Sequence, residues 1–255
     1  MTKPFAPRSS WPINFPTVVI HSTVKKRDQH PAYASAKAGD FKAAISLVND
    51  LLNPDALNLL GQNIGYCDVM LAAVTAVEKA GFNAIPDAMA HIIGGKMEWL
   101  TDTRELRQTN FVAHTRASGW HRIVTPPTFG GNVEKGRAYV LVDDHVGLGG
   151  TLANMRGYIE AKGGKVIAMT TLTESREASK ISLSLPTLNM LRLKHGKELE
   201  QYWQEIFGYG LDCLTEIEAS YIARQPSLDA IARCLADGTE KASGSGVSTI
   251  SIPKP

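Results

Sequence analysis

Three cysteines in 255 residues are too few, and an odd number, for a disulfide framework. Cys67, Cys213 and Cys234 are widely separated and form no metal-binding motif, and no His/Cys or His/Glu spacing suggests zinc. Such cysteine usage suits a reducing cytosol, so a cytoplasmic location is expected. Charge of one sign is also lacking: 27 Lys and Arg against 25 Asp and Glu leave +2. That balance gives no argument for nucleic acid or for a membrane surface. No apolar run approaches the ~20 residues of a membrane span. Met1 to Pro16 is broken by prolines and has no apolar core of a signal peptide. Pro31 to Leu52 resembles one helical-repeat hairpin, but no second copy follows, which excludes a solenoid. There is no Ser nucleophile elbow, and Gly147 to Thr151 lacks the lysine of a Walker A loop.

A hydrophobic content of 44% supports a real core, and the length suits one domain with extensions. The most informative stretch runs from Arg137 to Leu172. Ala138-Tyr139-Val140-Leu141-Val142 is apolar on both faces, as in a strand buried within a parallel sheet. It ends in Asp143 and Asp144, and Gly147-Leu148-Gly149-Gly150-Thr151 follows. Leu152, Met155 and Ile159 recur at helical spacing with Tyr158 beside them, Gly163-Gly164 stops the helix, and Val166 to Met169 reads as the next strand. The whole is a βαβ unit. Small loop residues let backbone N–H groups converge on an anion, and the helix start adds its positive end. Two carboxylates at the carboxyl end of the strand suit sugar hydroxyls or Mg²⁺, on the edge where open α/β sheets bind ligands.

Val140 to Thr151 resembles the 5-phosphoribosyl-1-diphosphate (PRPP) signature of type I phosphoribosyltransferases: an apolar strand, two acids, a few variable residues, then Thr-Gly-Gly-Thr. Both acids and Gly149-Gly150-Thr151 are kept. Leu148 stands where the family usually has Thr or Ser, so the loop lacks one hydroxyl that often contacts the 5′-phosphate. The resemblance implies an α/β domain with a parallel sheet flanked by helices. It implies PRPP held by Asp143, Asp144, His145, Gly147, Leu148, Gly149, Gly150 and Thr151, with Asp143 and Asp144 also holding Mg²⁺, directly or through water. For His145 a ribose contact and a purely positional role both stand.

Outside the signature the chain divides into an arm (1–30), one domain (31–236, helical from about 180) and a flexible tail (237–255). The arm has a strand-like run, Val18-Val19-Ile20, and a cluster, Lys25-Lys26-Arg27, read as a solvated face. Pro31 to Leu52 reads as two helices broken at Gly39-Asp40, with Asp40 as N-cap and the pair as a lid or dimer element. Val69-Met70-Leu71 is a candidate strand, Val74 to Asn83 a loop, and Pro86 opens a helix ended by Gly94-Gly95. A helix over Leu71 to Lys79 is the other parse. The family has a pyrophosphate-binding loop after its first core strand, which makes Thr75 and Lys79 candidates; a surface role for Lys79 is as consistent.

Thr101 to Gly136 is long, polar and rich in Arg and His, as binding loops are. Phe111-Val112-Ala113 and His121 to Val124 read as a hairpin. Family members have a closing loop here, which makes Arg116 a candidate catalytic contact to pyrophosphate; a surface arginine is the other reading. Thr173 to Arg176 suits either acceptor contacts or helix capping. Pro186 to Phe207, Leu214 to Ala223 and Leu228 to Leu235 read as helices in place of a recognisable nucleobase hood.

The function so implied is Mg²⁺-dependent transfer of phosphoribose from PRPP to a nitrogen acceptor, a nucleobase by expectation, in a homodimer. A PRPP- or nucleotide-binding regulator on the same fold is the alternative. Hydrolysis of PRPP is a third.

Overall fold

The computed structural model describes residues 7–65, 67–78, 81–102, 106–112 and 118–243. The first elements are β1 (Val19–Ile20), α1 (Val24–Gln29), α2 (Tyr33–Lys37), α3 (Phe41–Leu51), α4 (Pro54–Ile64) and β2 (Val69–Ala73). A short hairpin, β3 (Val77–Glu78) and β4 (Gly81–Phe82), precedes α5 (Ile85–Met97) and β5 (Leu100–Asp102). Next come β6 (Arg107–Gln108), α6 (Gly119–Val124) and β7 (Phe129–Gly130). The central unit is β8 (Ala138–Val146), α7 (Gly150–Ala161) and β9 (Lys165–Glu174), and the chain continues through α8 (Leu185–Phe207), α9 (Glu216–Ala223) and α10 (Leu228–Ser243).

The main sheet has the order β1-β9-β8-β2-β5, and every pairing in it is parallel. Strand alternation explains why β8 is apolar throughout. Val140 and Val142 pack with Leu47, Leu60 and Ile93 of the helices on one face. Tyr139 and Leu141 pack with Leu152, Met155 and Ile159 of α7 on the other. A parallel sheet covered on both faces demands such strands. The expected α/β class is what the chain adopts. The C-terminal helices form a third apolar cluster, with Leu188, Leu191, Leu199, Trp203 and Ile206 against Ile123 and Val124 of α6.

Several boundaries differ from the expectations. The residues read as an arm supply β1, the edge strand beside β9, through Val19↔Thr170. The pair α2–α3 is a layer on the sheet, with Ala36, Ala44, Leu47 and Val48 fully buried, and Asp40 caps α3 by accepting from Ala43 N. Helix α4 carries an N-cap signal, Asn53 before Pro54, that the sequence reading passed over. The expected strand is β2, so the parse of Leu71 to Lys79 as a helix fails.

Gly94-Gly95 does not end α5, which runs to Met97. Gly94 instead permits close packing, since a Cβ there would lie 2.5 Å from Thr101 Cγ2 and 3.0 Å from Trp99 O. Residues 119–124 form a helix capped by Ser118, not half of a hairpin, and β6 pairs with β7. Helix α10 extends to Ser243, into the stretch expected to be a tail.

The N-terminal segment crosses α7 at Gly157, where a Cβ would lie 2.2 Å from Pro7 O and 2.5 Å from Arg8 Cα. Arg156 donates to Ser9 O at 3.0 Å and Ser10 O at 2.7 Å, and Trp11 Nε1 donates to Leu214 O at 2.7 Å. The strap therefore ties α7 to the C-terminal helices. Gly157→Ala should lower stability by about 1–3 kcal/mol by forcing the strap off α7. A lower Tm in thermal unfolding checks it; an unchanged Tm contradicts this packing.

Candidate functional site

Strand β8 carries Asp143 and Asp144 as its continuation, and the strand extends through both acids to Val146. Each carboxylate residue is only 7% exposed. Asp143 Oδ1 accepts the Asp144 N–H at 2.8 Å, and Lys37 Nζ donates to Asp144 Oδ2 at 3.0 Å. Burial and the charge of Asp144 push the Asp143 carboxyl well above the usual carboxylate range. Burial would raise Asp144 as well, but the Lys37 ammonium, by charge and hydrogen bond, holds it below that range. The two carboxyls are thus shifted in opposite directions.

The acids open into a cleft of about 370 Å³, lined among others by Arg27, Tyr33, Asn83, Arg122, Gly147 to Leu152 and Glu218. Arg27 belongs to the cluster read as a solvated face, yet it is buried: it lies 4.9 Å over the Tyr33 ring and donates to Thr173 Oγ1 at 2.9 Å. His145 Nδ1 and Nε2 lie 2.9 Å from Thr173 Oγ1 and Ser175 Oγ respectively. Burial, then the charge of Arg27, lowers the His145 pKa, so the ring is neutral at pH 7. Both ring nitrogens are occupied by hydroxyls of the neighbouring strand end, which is a positional arrangement.

The Gly-rich loop joins β8 to α7, and Gly149, at φ 82°, occupies the N-cap position. That left-handed conformation favours glycine. A Cβ on Gly149 would also lie 3.0 Å from Ile181 and 3.1 Å from Thr215. Thr215 Oγ1 donates to Leu148 O at 2.5 Å. A Cβ on Gly150 would lie 2.8 Å from Glu218 Oε1 and 3.2 Å from Arg8 Nη2, and one on Gly147 would lie 3.0 Å from Arg122 Nη1. Arg8 and Glu218 form a buried bidentate pair, with Nη1–Oε2 at 2.6 Å and Nη2–Oε1 at 2.8 Å.

The structure therefore brings Asp143, Asp144, His145, Gly147, Leu148, Gly149, Gly150 and Thr151 to one cleft. Thr75 is not among them: its buried hydroxyl faces Ala73 O at 3.2 Å and Leu106 O at 3.1 Å, while Val74 and Ala76 line the cleft. Lys79 and Arg116 lie outside the described residues. Arg8, Lys37 and Glu218 were not singled out in the sequence, while Arg27 was placed on a solvated face and Arg122 among the basic residues of the long polar segment. A capping box, Thr215 with Glu218, was the one legible signal for Glu218.

No protein-family model matches the chain. It is 38% identical over 226 residues to Protein TraN of Escherichia coli, across 89% of this chain and 50% of that protein. The chain thus spans half the length of that relative. Among solved structures it is similar to an adenine phosphoribosyltransferase, with TM-score 0.33, 13% identity, and coverage of 54% of this chain and 71% of that one. A second is the UMP synthase of Leishmania donovani, with TM-score 0.29, 15% identity, and coverage of 71% and 35%.

Because burial and the charge of Asp144 push the Asp143 carboxyl above its unfolded-chain value, stability falls as pH rises above the ordinary carboxylate range. Asp143→Asn keeps the acceptor for Asp144 N–H and removes that cost. The variant should unfold at a higher Tm than wild type at pH 8, with the gain vanishing by about pH 4. An equal Tm across that range would contradict the raised Asp143 carboxyl.

Proposed function

We propose that the cleft binds PRPP and transfers its phosphoribosyl group to a nitrogen acceptor, a nucleobase by class. One observation carries the reading: a buried acid pair and a glycine loop opening a helix face the same cleft, at the carboxyl edge of a parallel sheet. Asp144, which Lys37 holds below the usual carboxylate range, accepts from a ribose hydroxyl. Asp143, beside it, faces the same sugar edge. Backbone amides of Gly149, Gly150 and Thr151, with the positive end of α7, receive the 5′-phosphate. Leu148 offers no hydroxyl, and its carbonyl is already taken by Thr215.

Among the described residues no third His, Cys, Asp or Glu joins the acids in a metal-binding group. Two carboxylates without a third ligand are a donor set that fits Mg²⁺ shared with substrate oxygens and waters, rather than caged by protein. Bound there, Mg²⁺ would neutralise charge on the diphosphate. The acceptor nitrogen would form its bond to ribose C1 as the bond to the diphosphate oxygen breaks, and pyrophosphate would leave with that electron pair. Positioning and charge stabilisation supply most of the rate in such a site. Arg122 beside Gly147 and Arg27 near the acids provide positive charge along it.

A second reading, a PRPP- or nucleotide-binding regulator without turnover, is favoured by the resident Glu218 carboxylate beside the loop and by Leu148. Incubation with PRPP, Mg²⁺ and a panel of nucleobases, following pyrophosphate, separates the two. Base-dependent release is expected. Saturable PRPP binding without release would favour the regulator, and base-independent release a hydrolase. Asp143→Asn with Asp144→Asn should lower PRPP binding or turnover at least 100-fold, about 2.7 kcal/mol. A double variant that behaves as wild type would remove the acids from the site.

A further inference from the structure

The acid pair at the end of β8 already has a cation of its own. Lys37 is the last residue of α2, and its Nζ donates to Asp144 Oδ2 at 3.0 Å. The side chains of Lys37 and Asp144 are 21% and 10% exposed, so little solvent screens the pair. The backbone that carries Lys37 is fixed on both sides of it. Ala36 is fully buried and its carbonyl accepts Ala84 N at 3.1 Å, and a Cβ on Gly81 would lie 2.9 Å from Ala38 O. The ammonium is therefore delivered to Asp144 by a packed turn of chain. Among the described residues no third His, Cys, Asp or Glu joins the two acids, and the charge set beside them is this ammonium.

We propose that Lys37 stands in for a divalent cation at the acid pair: it keeps free metal off Asp144 and lets the ribose end of the site bind without one. The proposal rests on the reading of the cleft as a phosphoribosyl site. A divalent cation on Asp144 would have to take the oxygen that Lys37 holds or sit beside the ammonium, and like charges that close repel. Moving Lys37 aside would break a buried ion pair, which is costly because it leaves each charge uncompensated. Mg²⁺ sheds its water reluctantly and is usually held by one or two carboxylates together with phosphate oxygens. Two carboxylates, one of them engaged by an ammonium, are a poor holder for the free ion. Metal used in turnover would therefore arrive on the diphosphate and would not wait on the acids. Lys37 engages Asp144 Oδ2, which leaves Oδ1 to accept from a ribose hydroxyl. Lys37 is thus a positioning residue: it acts on the sugar through Asp144.

The test is metal binding to the full chain, read by the electron paramagnetic resonance of Mn²⁺, with isothermal titration of ribose 5-phosphate beside it. Lys37→Met keeps most of the side-chain length and removes the charge, and Lys37→Arg keeps a cation. Without sugar, Mn²⁺ should bind Lys37→Met about 10-fold or more tightly than wild type, and Lys37→Arg should behave as wild type. A lysine with a merely structural role would not give this pattern, because its loss would leave metal binding unchanged or weaker. Ribose 5-phosphate should bind wild type equally in EDTA and in Mg²⁺. Its binding to Lys37→Met should weaken in EDTA and recover in Mg²⁺. Equal or weaker Mn²⁺ binding by Lys37→Met, or wild-type ribose 5-phosphate binding that is lost in EDTA, would overturn the proposal. If Lys37→Met does not fold, Lys37→Gln takes its place, and the wild-type comparison of EDTA with Mg²⁺ needs no variant. Failure of the phosphoribosyl reading looks different: ribose 5-phosphate would bind none of these proteins in either buffer, and the Mn²⁺ comparison would still decide whether Lys37 keeps metal off the acids.

Discussion

Two adjacent carboxylates buried at the end of a central strand set the terms for everything around them. Asp143 and Asp144 are each 7% exposed, so water screens little of their mutual repulsion. The Asp143 carboxyl is pushed well above the usual range, and Lys37 holds Asp144 below it. Lys37 ends α2, so α2 must lie over the front of β8, and with it the layer that α3 and α5 build on that face. Positive charge near the acids comes from Arg27 and Arg122 as well. The cleft thus holds both signs of charge close together.

The other constraint is close approach. Gly149, Gly150 and Gly157 lie where Cβ atoms would meet Thr215, Glu218 and Pro7 in turn. At these glycines two distant pieces of chain come in against the backbone of α7 and of the loop before it. One is the N-terminal strap and the other is the start of α9. Trp11 and Arg8 then join these pieces to each other, through Leu214 O and Glu218. The glycine loop is thus built by the βαβ unit but bounded by the N-terminal strap and the start of α9.

What could be read from the sequence follows from which interactions are local. The β8–loop–α7–β9 unit was legible because alternation, helical spacing and glycine punctuation all lie within Arg137 to Leu172. The edge of the sheet that carries the acids followed from the same stretch. The cations were not legible. Lys37 meets Asp144 across 107 residues and Arg8 meets Glu218 across 210, and no spacing rule reaches so far. Gly94-Gly95 misled for a related reason: a glycine that permits helix–sheet contact looks, in sequence, like one that ends a helix. The expected hairpin at 111–124 failed because Ser118 caps a helix whose apolar residues, Ile123 and Val124, pack on the C-terminal cluster. Its β-branched residues favoured a strand locally, and tertiary burial overrode them.

In the function proposed for this cleft, the acid pair and the glycine loop hold two ends of one phosphorylated ribose. A crystal structure with ribose 5-phosphate tests this most directly. The phosphate is expected within hydrogen-bond distance of the amides of Gly149, Gly150 or Thr151, and the 2′- and 3′-hydroxyls on the carboxylates of Asp143 and Asp144. A sugar bound elsewhere, or bound here with its phosphate turned away from the loop, would contradict it.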